Sequence, residues 1–492
     1  MDTARGSFLR SSIFFSFAEK YTLLLLGMGG AMAIARLLTP AEIGLYSVGA
    51  VLVGLAQAVR DFGVGQYLTQ EKDLTVEKMR AALAVSLAVA AILGALVLLG
   101  SGGVARFYHE PRLEAVLQLL ALNFFLIPFS ALTLSLLRRQ LRFSALYLVN
   151  TAHGATHLIV SVSLALLGFS YRSLAWAALL ATVAALFASL LVRPAGLPWL
   201  PGLRGSRPIV LFGAMSTSGG LIDEAGVAAP ELIIGKMIGL DAVGLFGKAT
   251  GLLNIFNQAI ASAISPVIFA LFSAQARAGH DTRAAYLATV SYMTVIAWPF
   301  FIVMGLMAFP LLRLLYGPQW DAAVPLVRLM CCSSALYSMF SMARYLFVAT
   351  GNVGAQARLD AIAAPVRIAA VVLAAPFGLA WVAWAVVLGA AFRSWLTWRY
   401  LKQLAGLDLA AMLASVRKSL LVAAATAPAP LAVLCLMPPE PARCLLPLLV
   451  AAGGALLGWL AGVVLFKHDI AHELVLLRRQ VWPLAGGDAH PD

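Results

Sequence analysis

The chain has 492 residues, 61% of them hydrophobic and only 12% charged, with a mean hydropathy of +0.90 and a net charge of +13. No water-soluble core needs so large an apolar share, so a soluble enzyme or binding module is excluded, and basic residues scattered through short loops exclude a nucleic-acid partner. Apolar runs of about 20 residues, each able to cross roughly 30 Å of hydrocarbon, predict an all-α polytopic integral membrane protein; the alternating runs of about 10 residues that a membrane barrel needs are absent.

In chain order the predicted spans fall at about 12–35, 42–59, 81–100, 114–137, 143–168 and 173–192. The first contains Glu19-Lys20 and is too long for a cleaved signal peptide, so it reads as a retained span. A Pro/Gly/Arg-rich linker, 193–208, precedes six more spans at about 209–235, 243–272, 286–312, 324–349, 359–376 and 379–398. Two further runs, about 419–436 and 445–466, and a polar tail complete an expectation of about fourteen transmembrane helices. The expected domains are therefore an N-terminal six-helix lobe (1–192), a cytoplasmic linker (193–208), a C-terminal six-helix lobe (209–402), two additional helices (403–466) and a cytoplasmic tail (467–492).

An internal repeat organises this pattern. The hinge Arg36 to Gly49 returns 200 positions later as Lys236 to Lys248, with Gly44-Leu45-Tyr46 matched by Gly244-Leu245-Phe246. Tyr108 to Ala115 resembles Tyr316 to Ala322, and Leu174-Ala175-Trp176 matches Leu379-Ala380-Trp381. Six spans per repeat is an even number, so the halves insert the same way up, as parallel repeats with a central cavity. Lys and Arg crowd the alternate loops on one side, including Arg60, Lys72, Lys78, Arg138, Arg139, Arg142 and Arg193; the other side holds only Arg36, Arg106, Arg112, Arg172, Lys236, Arg313 and Arg443. Both termini are thereby expected in the cytoplasm.

The pattern Arg-Leu-Leu-Thr-Pro-x-Glu-x-Gly-Leu-Tyr at 36–46, the stretch Glu231-Leu232-Ile233-Ile234-Gly235-Lys236 leading into Gly244-Leu245-Phe246, and Leu315-Tyr316-Gly317 with Trp320 and Ala323 resemble the polysaccharide flippases of the Wzx/PST type. That family belongs to the superfamily that also holds lipid II flippases and MATE drug exporters. The resemblance covers about residues 8–400 and implies alternating-access transport of undecaprenyl-pyrophosphate-linked oligosaccharide across a bacterial inner membrane, for exopolysaccharide, capsule or O-antigen synthesis. It implies the lipid bilayer and that cargo as partners, with polysaccharide polymerase or co-polymerase proteins as further candidates. Pro230-Glu231 departs from the Asp that family members often carry there. A lipid II flippase or a multidrug/cation antiporter of the same superfamily is the alternative; a membrane glycan polymerase or ligase fits less well, because every predicted outer loop is short.

Charges inside spans are the place to look for such chemistry. Lys20, Lys248 and Arg367 are the candidates for cargo phosphate, and Glu19, Asp223, Glu224 and Glu231 for ion coupling. Glu19-Lys20 reads equally as a structural pair that snorkels to the interface, and Asp223-Glu224 as a water-exposed face. His153 and His157 share a helix face but lack a third metal ligand, so no metal is expected. Arg60-Asp61 and the charged stretch after it read as a solvated connector, and Arg138-Arg139-Gln140-Leu141-Arg142 as a basic cytoplasmic helix end that the positive-inside bias accounts for, with contact to lipid phosphates as the alternative. No nucleophile elbow, phosphate-binding loop or zinc spacing is present, so no catalytic residue and no cofactor is expected, and transport is not driven by the chain's own use of ATP.

Overall fold

The computed structural model describes residues 2–61, 63–437 and 444–472, and among these all regular structure is helical. Arg443 and most of the expected tail lie outside the described residues. The helices are α1 (Asp2–Leu37), α2 (Pro40–Asp61), α3 (Val64–Gln70), α4 (Val76–Tyr108), α5 (Arg112–Arg139), α6 (Phe143–Leu166), α7 (Arg172–Leu191), α8 (Ser206–Met237), α9 (Leu240–Phe256) and α10 (Ser262–Arg277). There follow α11 (Arg283–Leu306), α12 (Ala308–Leu315), α13 (Val324–Ser338), α14 (Ala343–Ala349), α15 (Val353–Ala374), α16 (Leu379–Ala405), α17 (Leu409–Thr426), α18 (Pro428–Leu436) and α19 (Leu445–Leu465).

Among the described residues ten helical segments are long and apolar enough to cross a membrane, and a bent pair, Leu240–Ala261 with Ile264–Arg277, makes an eleventh. The pair is bent by 50°. A π turn at Asn257–Ala261 sits at the bend, and Pro266 just beyond it removes a helical hydrogen bond and crowds the carbonyl four residues back. The expected count of fourteen exceeds this number by the three long helices α1, α6 and α8, which carry acids, bases or the polar series Asn150, His153 and His157.

By internal contacts the chain divides into two compact units. The first holds residues up to Gly251 together with Leu315–Ala323 and Asp360–Ala385; the second holds Leu252–Leu314, Val324–Leu359 and the chain from Val386 onward.

In the first unit the α1–α2 corner is set by local chemistry. The Thr39 backbone N–H and hydroxyl both donate to Glu42 Oε2 at 2.8 Å, and the Glu42 N–H donates to Thr39 Oγ1 at 3.4 Å. Pro40 opens α2 where no N–H is needed, so Thr-Pro-x-Glu is a reciprocal helix cap. The two repeats meet directly beyond it. A Cβ on Gly44 would stand 1.8 Å from Leu240 O, and one on Gly244 would stand 2.1 Å from Pro40 O, so only glycine fits at either place.

A second exchange surrounds this crossing. Tyr108 Oη donates to Leu232 O at 3.2 Å and Lys236 Nζ donates to Phe107 O, so the α4–α5 turn covers the end of α8. Trp320 Nε1 donates to Ala35 O at 2.8 Å and Gln319 Nε2 to Leu38 O at 2.9 Å, so the turn after α12 covers the end of α1. Each turn puts the residue after its tyrosine in the left-handed region, His109 at φ 56° and Gly317 at φ 100°. This exchange is why Leu315–Ala323 belongs to the first unit.

In the second unit α11 packs on α13 and α17, and α17 on α19. Gly454, Gly458 and Gly462 recur at one helical turn, and a Cβ on Gly458 would come within 2.5 Å of Ala425 O, so α19 lies close against α17. His468, 1% exposed just after α19, closes the packing. Its Nδ1 accepts the Ile470 N–H at 3.2 Å, which leaves the proton on Nε2, 3.1 Å from both Ser291 Oγ and Ser419 Oγ. Thr294 Oγ1 completes the network by donating to Ser419 Oγ at 3.0 Å. The same unit carries an apolar groove of about 550 Å³, lined by Phe300, Met304, Met307, Leu448 and Trp459 among others.

Candidate functional site

The helical run that opens at Pro40 is interrupted just past the second predicted span, at Gly63, whose φ of 61° lies in the left-handed region, and resumes as the seven-residue α3. Val64, Tyr67 and Leu68 turn one side of α3 into a core with Ala81, Leu83, Leu132, Leu136 and Ile209. Its other side faces a cavity of about 710 Å³, walled also by the end of α2, by α5 around Pro128 and by Leu221 and Glu224 of α8. Broken helices in a membrane protein occur where their freed backbone groups meet protein or a wet cavity.

Two arginines line this space. Arg60 has 12% of its side chain exposed, and its Nε donates to Asp61 Oδ1 at 3.2 Å; Arg138 projects from the last turn of α5. Gln66, Thr69, Gln70, Ser86 and Ser130 supply amides and hydroxyls. Ser130 and Thr69 return their protons to the helix, to Ile127 O at 3.0 Å and Gly65 O at 2.8 Å, so their oxygen lone pairs remain for a ligand that donates. Guanidinium groups recognise phosphate by paired N–H donors, and a wall of amides and hydroxyls suits a hydroxylated ligand. At the cavity's edge Glu71 is held below the usual carboxylate range by a hydrogen bond from Lys78 first and from Tyr67 second.

Of the residues expected from sequence, Glu224 lines this cavity. Asp223 is its neighbour on α8, with a side chain outside the described residues. Glu231 lies two turns further along α8, half-buried. Glu19 accepts a hydrogen bond from Asn150 Nδ2 at 2.6 Å, tying α1 to α6, and Lys20 is half-buried beside it. Lys248 is drawn into the reciprocal corner: its Nζ donates to Ala31 O at 3.3 Å and lies 4.9 Å and 5.5 Å from the ring centroids of Tyr316 and Trp320. Arg367 rests its guanidinium on α8 where Gly226 leaves room, a Cβ there meeting Nη2 at 2.7 Å. The structure thus brings Glu224 together with Arg60 and Arg138, and places Lys20, Lys248, Arg367, Glu19 and Glu231 outside the described lining. Sequence reasoning missed Arg60 and Arg138 as cavity residues. The signal that finds them is Gly63-Val64-Gly65 directly after an apolar run, because glycines there interrupt the helix beside a polar cavity wall.

A helical membrane protein with paired repeats, broken spans and a polar cavity is of the transporter class. Comparison with known proteins carries this further: the chain belongs to the polysaccharide biosynthesis protein family, whose model matches residues 33–325. It is 21% identical over 363 residues to the lipopolysaccharide biosynthesis protein WzxC of Escherichia coli (strain K12), covering 72% of each chain. It is 23% identical over 310 residues to the teichuronic acid biosynthesis protein TuaB of Bacillus subtilis (strain 168), covering 60% of this chain and 62% of that one. Among solved structures, the lipid II flippase MurJ in an inward closed conformation superposes with a TM-score of 0.74 at 11% identity, over 94% of this chain and all of that one. An inward-facing multidrug resistance MATE family transporter superposes with a TM-score of 0.63 at 14% identity, over 78% of this chain and 94% of that one, so the chain shares its fold with both.

Proposed function

We propose that the chain is a flippase that moves an undecaprenyl-pyrophosphate-linked oligosaccharide between bilayer leaflets, with the charged head in the cavity and the polyprenyl chain in lipid. The observation that carries the reading is the pair Arg60 and Arg138 beside amides and hydroxyls in one space of about 710 Å³. The arginines take the diphosphate, and Gln66, Thr69, Gln70 and the serines take sugar hydroxyls. Relatives named for lipopolysaccharide and teichuronic acid synthesis support a glycan cargo. The apolar groove of the second unit supports a lipidic one. Lys20, Lys248 and Arg367 remain on the transport path in this reading as secondary cations, and Glu19, Asp223, Glu224 and Glu231 as ion carriers.

The basic loops orient the Arg60–Arg138 end toward the cytoplasm, with both termini on that side of a bacterial inner membrane. Crossing by α1, α6 and α8 as well completes fourteen spans in two six-helix lobes, 1–192 and 209–402, and a final pair. Polymerase or co-polymerase proteins take the cargo on the far side.

The test is movement of a fluorescent lipid-linked glycan into the opposite leaflet of proteoliposomes. Arg60→Gln and Arg138→Gln each lower the rate by about tenfold or more, the loss of one charge-assisted contact, at unchanged protein level. No movement by the wild-type chain alongside efflux of organic cations overturns the proposal in favour of an antiporter.

A further inference from the structure

Arg138 and Arg139 are adjacent, so their side chains leave α5 about 100° apart. Arg138 reaches the cavity; Arg139 reaches the other way, to the end of α3. Its Nη1 donates to Leu68 O at 2.9 Å, to Thr69 O at 3.4 Å and to Glu71 O, and its Nη2 donates to Lys72 O at 3.2 Å. Leu68 O and Thr69 O are among the carbonyls that the last turn of α3 leaves unsatisfied, and Glu71 O and Lys72 O belong to the loop that follows. One guanidinium therefore caps α3 and binds its following loop to α5.

A helix of seven residues does not hold its shape alone in water or at a wet wall. The buried contacts of Val64, Tyr67 and Leu68 keep α3 against the core but are non-directional, so they leave it free to slide or rotate along α5. Lys78 ties the loop from the other side, donating to Glu71 Oε1 and Asp73 O at 2.9 Å each. Arg139 links the loop and α3 by hydrogen bonds to the helix that carries Arg138.

We propose that Arg139 is a positioning residue: its clasp on Leu68, Thr69, Glu71 and Lys72 fixes α3, and so sets Gln66, Thr69 and Gln70 opposite Arg138 across the cavity. The two neighbouring arginines divide the work, one meeting cargo and the other holding the wall. The consequence for transport rests on the flippase reading above; the clasp itself does not.

The test uses Gly65→Cys with Ser135→Cys in the full chain in membranes. A Cβ on Gly65 would lie 3.1 Å from Ser135 Oγ, close enough for a disulfide to pin α3 on α5. Arg139→Gln lowers the yield of this cross-link about tenfold, Arg139→Lys falls between because one ammonium cannot span four carbonyls, and Arg138→Gln leaves the yield unchanged. An unchanged yield in Arg139→Gln overturns the clasp. In the transport assay, oxidation restores the Arg139→Gln double-cysteine chain to the rate of its Arg139 counterpart, and reduction removes the gain. A cross-linked Arg139→Gln chain that stays slow shows that Arg139 acts on cargo directly and overturns the positioning role. Failure of the flippase reading shows instead as an inactive wild-type chain whose cross-linking still depends on Arg139.

Discussion

The reciprocal crossing of α2 and α9 makes a stability prediction that the structure quantifies. Gly44→Ala places a methyl carbon 1.8 Å from Leu240 O, where an unstrained contact needs about 3.5 Å, so the helices must part by well over an ångström. The obstruction is backbone, which cannot swing aside as a side chain does. Overpacking of this kind costs about 1–3 kcal/mol, against which alanine's better helix propensity returns about 1 kcal/mol. Gly244→Ala meets Pro40 O at 2.1 Å and behaves alike. Gly251→Ala, with nothing within 4 Å of its new methyl, is the control and holds or raises stability. Thermal unfolding of the detergent-purified protein measures all three. The double variant Gly44→Ala/Gly244→Ala loses less than the sum of the single losses, because one separation of the helices relieves both clashes. A Gly44→Ala midpoint equal to wild type, or full additivity in the double variant, refutes the close crossing.

Lys248→Met loses its donor to Ala31 and its place over Tyr316 and Trp320, and the thermal midpoint falls by the equivalent of about 0.5–2 kcal/mol; an unchanged midpoint removes the aromatic contact from the account. Gly458→Ala pushes a methyl to 2.5 Å from Ala425 O and destabilises the α17–α19 pair by about 1–3 kcal/mol, whereas Gly453→Ala, in open space, is neutral by the same measurement. Burial is the main cause that pulls His468 below its ordinary 6.5, with Lys418 acting in the same direction and Asp469 against it. The unfolded chain therefore binds this proton more readily, so the contribution is complete above pH 6.5 and is lost as the pH falls from there through the folded value. The midpoint of the wild-type chain drops more than that of His468→Asn between about pH 7.5 and about pH 5; equal drops refute the neutral buried imidazole.

Much of the architecture was legible in the sequence because hydropathy and repetition are local or periodic properties. The apolar runs mark the long helices, and the hinge read at Arg36 to Gly49 is the corner that Thr39 and Glu42 cap in the structure. The match of Gly44 to Gly244 pointed at the residues that touch, though not at the touching itself, since spacing shows equivalence and not proximity. The site was less legible. Arg60 beside Asp61 has the composition of any solvated connector, and only the structure shows it in the wall of a cavity, next to the left-handed turn at Gly63. Arg138 and Arg139 are indistinguishable as letters, and their division follows from the 100° between neighbours on a helix. Lys248 reads as a cation inside a span, and no local pattern places Tyr316 and Trp320, far along the chain, beside it. His468 lies where hydropathy indicates a tail, and its burial depends on serines from α11 and α17 that no local pattern connects to it.

The corner where Gly44 faces Leu240 and Gly244 faces Pro40 has the form of a two-fold contact: position i of one half meets position j of the other, and j meets i. In separate chains that is the isologous interface of a homodimer, which needs only one self-complementary surface to form. The same rule governs the surrounding turns, with Phe107 and Tyr108 covering α8 as Gln319 and Trp320 cover α1. Such an interface is what an ancestral half-length protein would have needed to pair with its own copy. In the fused chain it leaves each half free to diverge, as Arg36 against Lys236 and Tyr46 against Phe246 already do.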